Sequence, residues 1–105
     1  MNVDLIVNRR LRMWSFSVSH GELTLMSTND SGEYATRFYV LLKPVAFISL
    51  PTDFHCQRIR SIAADGAYRY DFIAGDQVHS VVAEHLFHGE DHEPWHAPVP
   101  IGIAG

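Results

Sequence analysis

Residues 12–28, RMWSFSVSHGELTLMST, constrain the fold more than any other stretch of the chain. Trp14, Phe16 and Val18 alternate with Ser15, Ser17 and Ser19, which is the two-residue period of a strand with one buried face. His20-Gly21 follows and reads as a two-residue hairpin turn of type I′. Such a turn needs positive φ at both positions; glycine adopts it freely, and histidine is among the few other residues enriched there. Folding about that turn sets Ser19 opposite Glu22, Val18 opposite Leu23, Phe16 opposite Leu25 and Trp14 opposite Ser27. The apolar pairs then share one face, so turn and pattern agree on a register.

Asp65-Gly66 is the second short hairpin signal. Pairing residues 57–63 with 67–73 about it sets Ala63 opposite Tyr68, Ser61 opposite Tyr70 and Ile59 opposite Phe72. On the other face Arg60 meets Asp71, an opposite-charge cross-strand pair. Gly75-Asp76 suggests a further turn, with Phe72 opposite His79 and Tyr70 opposite Val81. Residues 3–8 suit a short edge strand, and residues 28–33 a polar loop of side chains that hydrogen-bond their own backbone. Residues 35–42 and 45–50, interrupted by Lys43-Pro44, are apolar on two faces, as in the middle of a sandwich or barrel. Residues 77–88 fork. Apolar residues at 78, 81, 82 and 86 fit a helix face between an Asp76 N-cap and Gly89, but Val78, Val81 and Val82 favour a strand that continues the meander. The strand is the preferred reading. Residues 89–94 read as a turn or loop.

These elements predict an all-β single domain over residues 1–105: a small antiparallel barrel or sandwich of about seven strands, with one short C-terminal helix as the alternative. Residues 95–105 hold Trp95, Val99, Ile101 and Ile103 and no charge, so they are expected to be an extended, docked tail rather than a loose one. With an apolar share of 47% and a charged share of 19%, the 105-residue chain has the composition of a globular domain. Cys56 is the sole cysteine, which excludes an internal disulfide and favours a reducing compartment. The first ten residues place their charges after a short apolar run, the reverse of a secretory signal, and no uncharged apolar run approaches a bilayer-spanning length. The expectation is a soluble cytoplasmic protein with no membrane partner.

Charge is unevenly spread. Residues 1–62 carry seven basic and five acidic side chains; residues 63–105 carry one basic and seven acidic. The cluster Arg9, Arg10 and Arg12 reads as a solvated strand end. A net charge of −4 argues against a nucleic-acid partner, which would want basic residues spread along one surface.

Seven histidines is a high count for this length. His85, His88, His92 and His96 fall in one segment with Glu84, Glu90, Asp91 and Glu93, a set of nitrogen and oxygen ligands suited to zinc or nickel. Only a continuous helix would line up all four rings, and Gly89 and Pro94 oppose one. On a strand His85 and His88 point to opposite faces, and no standard zinc spacing is matched. Exposed imidazoles in an acidic segment are therefore the expectation, with these four as the candidate metal residues and no cofactor expected. His55 beside Cys56 cannot activate it from an adjacent strand position. No phosphate-binding glycine run and no GxSxG nucleophile elbow occurs.

The expected function is a small non-catalytic binding or interaction domain, regulatory or toxin-neutralising, whose acidic second half suits a basic protein partner. One alternative is a histidine-dependent metal or small-ligand enzyme using His79, His85 or His88 in a barrel mouth. A second is a subunit of a larger assembly, including a homodimer built by its tail.

Overall fold

The structure is a computed structural model describing residues 2–99. Six antiparallel strands, β1 (Asp4–Ser17), β2 (Glu22–Ser27), β3 (Arg37–Ser49), β4 (Asp53–Ala64), β5 (Ala67–Ala74) and β6 (Gln77–Asp91), form one sheet. It closes into a barrel-like ring in the order β1-β2-β3-β6-β5-β4. There is no helix among the described residues; residues 77–88, where a helix was the alternative, lie in β6.

Six strands replace the expected seven or so because two interruptions do not break their strands. Asn8 takes φ +50 in a bulge between Ile6 and Arg9, so residues 3–8 continue into β1. Lys43-Pro44 lies within β3, joining the two apolar runs. The two later hairpins have the expected registers: Ala63↔Tyr68, Ser61↔Tyr70 and Ile59↔Phe72 between β4 and β5, then Tyr70↔Val81 and Phe72↔His79 between β5 and β6. Asp65 and Gly66 both have positive φ, as a type I′ turn requires.

The first hairpin departs from expectation. Ser17 pairs with Glu22 and Phe16 with Leu23, leaving residues 18–21 as the loop, and a second irregularity between Met13 and Ser15 sets Met13 opposite Leu25. Of the loop residues only Gly21 has positive φ, so His20-Gly21 is not a type I′ turn. The bulge also changes which residues face inward. Leu11 is fully buried and Met13 packs on the core, whereas Trp14, Phe16 and Val18 are partly or largely exposed.

Inside the ring, Leu11, Leu23, Leu25, Val40, Leu42, Ile59, Phe72 and Leu86 are fully buried. Tyr70 lies among them with its hydroxyl lacking a hydrogen-bond partner among the described residues, and burial raises its phenol pKa. The first half of β3, residues 37–42, is buried on both faces, as its two-sided apolar pattern suggested; the second half is not, and Phe47 is 55% exposed. Tyr39 and Leu41 point outward yet are buried with Met26 and Arg37. The segment after β6 returns toward this outer face. Arg37 Nε and Nη2 donate to the two carboxylate oxygens of Asp91 at 2.8 and 3.1 Å, and the same guanidinium donates to the carbonyls of Ala97 and Pro98. Trp95 packs edge-on against Trp14, with ring centroids 5.7 Å apart. Of the expected docked tail, residues 100–105, including Ile101 and Ile103, lie outside the described residues.

Residues 89–91, expected in a loop, are strand. Gly89 sits opposite Tyr39, whose ring occupies the space where a side chain would stand; a Cβ there would meet it at 2.6 Å. The glycine therefore marks a close approach between strands and not a chain reversal.

Candidate functional site at the barrel mouth

Strand pairing in the ring is staggered, and the stagger opens one end. β1 pairs with β4 from Asp4 to Arg12, but with β2 only from Arg12 to Ser17. On its β2 side, residues 4–11 have no strand beside them among the described residues. β6 pairs with β3 out to Asp91, while its pairing with β5 stops at Ala83. The start of β1 and the end of β6 thus project past their neighbours. Between them lies a groove of about 340 Å³, lined by Leu5, Val7, Arg9, Phe38, His88 and Glu90 among others.

Each lining residue has a structural reason to be there. Leu5, Val7, Arg9 and Leu11 occupy alternate positions of β1, and the first two pack against the core. The Arg9 backbone follows the Asn8 bulge, and its side chain is buried to 9% exposure. Burying a guanidinium is costly unless its donors are matched. Here Nε donates to Ser27 Oγ at 3.1 Å, Nη1 to Thr36 Oγ1 at 3.0 Å, and Nη2 to the Thr36 carbonyl. The Tyr34 ring lies 4.2 Å from the guanidinium carbon, a cation–π contact. The Thr36 hydroxyl in turn donates to Glu90 Oε2, which stands 3.6 Å from Arg9 Nη1. Glu90 is 56% exposed at its side chain, so its carboxylate forms an open acidic rim above a satisfied arginine. His88 pairs with Val40, a core residue, and its ring lies 6.2 Å from that of Phe38.

The candidate metal residues are spread apart. His85 pairs with Lys43 and its ring stands 6.1 Å from that of Phe87. His88 lines the groove. His92 and His96 follow the strand, exposed, with the His96 ring against Trp95. Among the described residues no three or more histidine, cysteine or acidic side chains gather as a cation site. His79 pairs with Phe72 and packs edge-on against Phe54; nine residues of one strand, about 30 Å, separate it from His88. Cys56 is fully buried and its thiol is pushed up to about 11 by desolvation. His55 is exposed on the other side of the strand.

The basic cluster divides. Arg9 is interior, contrary to the solvated reading, whereas Arg10 and Arg12 are exposed and meet Asp53. Hydrogen bonding from Arg10 holds the Asp53 carboxyl below its usual range, and Arg58 does the same to Asp4. Arg60 and Asp71 are cross-strand partners as expected, but the Asp71 carboxylate bonds Arg69 and Ser80 instead. A smaller crevice of about 150 Å³ beside Arg10, Arg12 and Tyr34 is polar, and Arg10 and Asp30 are already engaged there, with Asp53 and Thr28.

Sequence reasoning passed over Thr36, read Arg9 as solvated and placed Glu90 among the oxygen ligands of the histidine segment. The signal for Arg9 was its place in the alternation Leu5, Val7, Arg9, Leu11; the other two are joined to it only by the fold. Comparison of the chain with family models, with curated proteins and with solved structures finds no match in any of the three.

Proposed function

We propose that this chain is a small non-catalytic binding domain that holds a segment of a protein partner in the groove between the start of β1 and the end of β6. One observation carries the reading: a concavity of about 340 Å³ with apolar walls and a few convergent polar groups, the size and make-up of a binding pocket. Its arginine is spent on Ser27, Thr36 and Glu90, which supports a role in holding the wall over one in turning over a substrate. Glu84, Glu90 and Glu93 on and just after β6 are exposed and favour a basic partner, whereas Asp91 is committed to Arg37. The lone buried thiol is in keeping with a reducing, cytoplasmic setting. Of His79, His85 and His88, the histidines an enzyme would draw on, one lines the groove.

The test is to pan a random peptide library on the immobilised full chain, then compare retained peptides on wild type and His88→Trp. The indole would crowd the groove from a position already exposed. Peptides that bind wild type and are lost by a normally folded His88→Trp variant support the reading. Failure to enrich any peptide, or equal binding to both proteins, overturns it.

A further inference from the structure

The groove is bordered by a strand edge. Ser61 N donates to the Val3 carbonyl at 2.9 Å, and the Val3 N–H donates to Ser61 Oγ at 2.7 Å, so Val3 and Ser61 occupy the hydrogen-bonded position where β1 meets β4. In an antiparallel ladder bonded and non-bonded pairs alternate. The N–H and C=O groups of Asp4 and Ile6 therefore point away from β4, toward the side where β1 has no neighbour. Farther along, the Arg10 N–H, which also faces that side, is capped by the Tyr34 hydroxyl at 3.3 Å. The Asn8 bulge and this cap close the upper part of the edge. Among the described residues nothing caps the backbone of residues 4–7 in this way, and their one charge, Asp4, is turned to Arg58 of β4, although proteins ordinarily blunt a free edge with proline, charge or a bulge. Leu5, Ile6 and Val7 all line the groove at this edge, Leu5 and Val7 packed against the core and Ile6 66% exposed.

Resting on the groove reading above, we infer that the partner segment binds by β-strand addition to residues 4–7 of β1. The occupant is an extended peptide with apolar residues at alternate positions and one basic residue beside Glu90. Its backbone completes the Asp4 and Ile6 hydrogen bonds, its inward side chains pack on Leu5, Val7 and Phe38, and its cation meets the half-open Glu90 carboxylate. Strand addition of this kind takes affinity from the main chain and specificity from alternate side-chain pockets. Glu90 supplies the charge complementarity that selects a basic segment.

Ile6→Pro tests the edge directly. The Ile6 N–H is not used by the β1–β4 ladder, and proline is tolerated on an edge where that group faces solvent. With a groove-binding peptide from the library as probe, Ile6→Pro is expected to weaken binding roughly tenfold, the loss of one well-made hydrogen bond. Amide exchange at Asp4 and Ile6 in wild type should slow when the peptide is added. Glu90→Gln should weaken lysine-bearing peptides and flatten their salt dependence. If Ile6→Pro binds as wild type does while His88→Trp does not, strand addition is overturned and the groove reading stands. If neither variant alters binding, the groove reading itself falls. Should Ile6→Pro fail to fold, the exchange measurement decides: unslowed Asp4 and Ile6 amides in the bound wild type overturn the inference. A concentration-dependent dimer abolished by Ile6→Pro would make a second copy the occupant and overturn the partner peptide.

Discussion

Replacing Asp91 with Ala should destabilise the protein far more than an ordinary surface substitution. The Arg37 side chain is wholly buried and Asp91 is 23% exposed. Asp91 accepts two of the guanidinium's N–H bonds and a further one from the Glu93 backbone at 3.2 Å. Removing one partner of a buried pair costs about 3–5 kcal/mol, mostly from the stranded charge. Water can reach the vacated carboxylate site, so the lower end applies, about 3 kcal/mol. At roughly 4 °C per kcal/mol for a chain of this length, the melting temperature should fall by about 12 °C. The Arg37 hydrogen bond, with the guanidinium's charge adding to it, holds the Asp91 carboxyl below its usual value. A carboxyl whose folded pKa is depressed contributes stability above its unfolded pKa, near 4, and loses it as pH falls through the folded value. The gap between wild type and Asp91→Ala should therefore be full at pH 7 and close below about pH 4. Asp4 and Asp53 are also held low by arginines, so overall acid sensitivity is not diagnostic, whereas the difference between the two proteins is. Thermal melts followed by near-ultraviolet circular dichroism at both pH values provide the assay. A double variant, Arg37→Met with Asp91→Leu, should recover much of the loss, since no charge is then stranded. An equal gap at neutral and acid pH, or a double variant worse than the two single losses combined, would refute the reasoning.

Gly21→Val should cost on the order of 1 kcal/mol or more, because φ is +62 there and an added Cβ would stand 3.3 Å from the Val45 nitrogen; His20→Asn should leave the melting temperature unchanged. Gly89→Ala should cost about 1–3 kcal/mol in urea melts, as the methyl would displace the Tyr39 ring. Tyr70→Phe should be neutral or stabilising, by up to about 1–2 kcal/mol, since it removes a buried hydroxyl without a partner among the described residues; a clear loss of stability would mean that the hydroxyl is satisfied. Cys56 should react with a thiol reagent at pH 8 only as fast as the chain opens, with full reactivity in denaturant, given its burial and a pKa of about 11.

Turn chemistry was legible where glycine or aspartate truly took positive φ. Asp65-Gly66 and Gly75 fixed two hairpins to the residue, because a two-residue turn leaves the register no freedom once one face is buried. The same logic slipped at His20-Gly21. Gly21 does adopt positive φ, but in a four-residue loop that the sequence does not distinguish from a tighter one. The Trp14 bulge then moved the alternating residues off the core, and nothing local announces a bulge whose unpaired residue is a tryptophan. Gly89 illustrates the opposite error. A glycine followed by acidic residues reads as a turn until the aromatic ring that fills its place, fifty residues away in sequence, is known.

The groove was illegible for a different reason. Its features are relations between strand ends, and strand length is the quantity local pattern constrains least. That residues 4–11 of β1 outrun β2 follows from β2 stopping at Ser27, not from anything in β1 itself. Arg9 shows how far one step of reading could have gone. Placed in phase with Leu5, Val7 and Leu11, it had to enter the barrel and find buried acceptors, which a polar loop rich in serine and threonine could supply. Thr36 and Ser27 do supply them, and Glu90 arrives because β6 runs eight residues past the end of its pairing with β5. A buried arginine at a barrel mouth thus ties the loop, the start of β1 and the end of β6 into one wall. With Arg9 matched inside and Glu90 Oε2 held by Thr36, the solvent-facing side of that carboxylate and the β1 edge are the groups the proposed segment would meet.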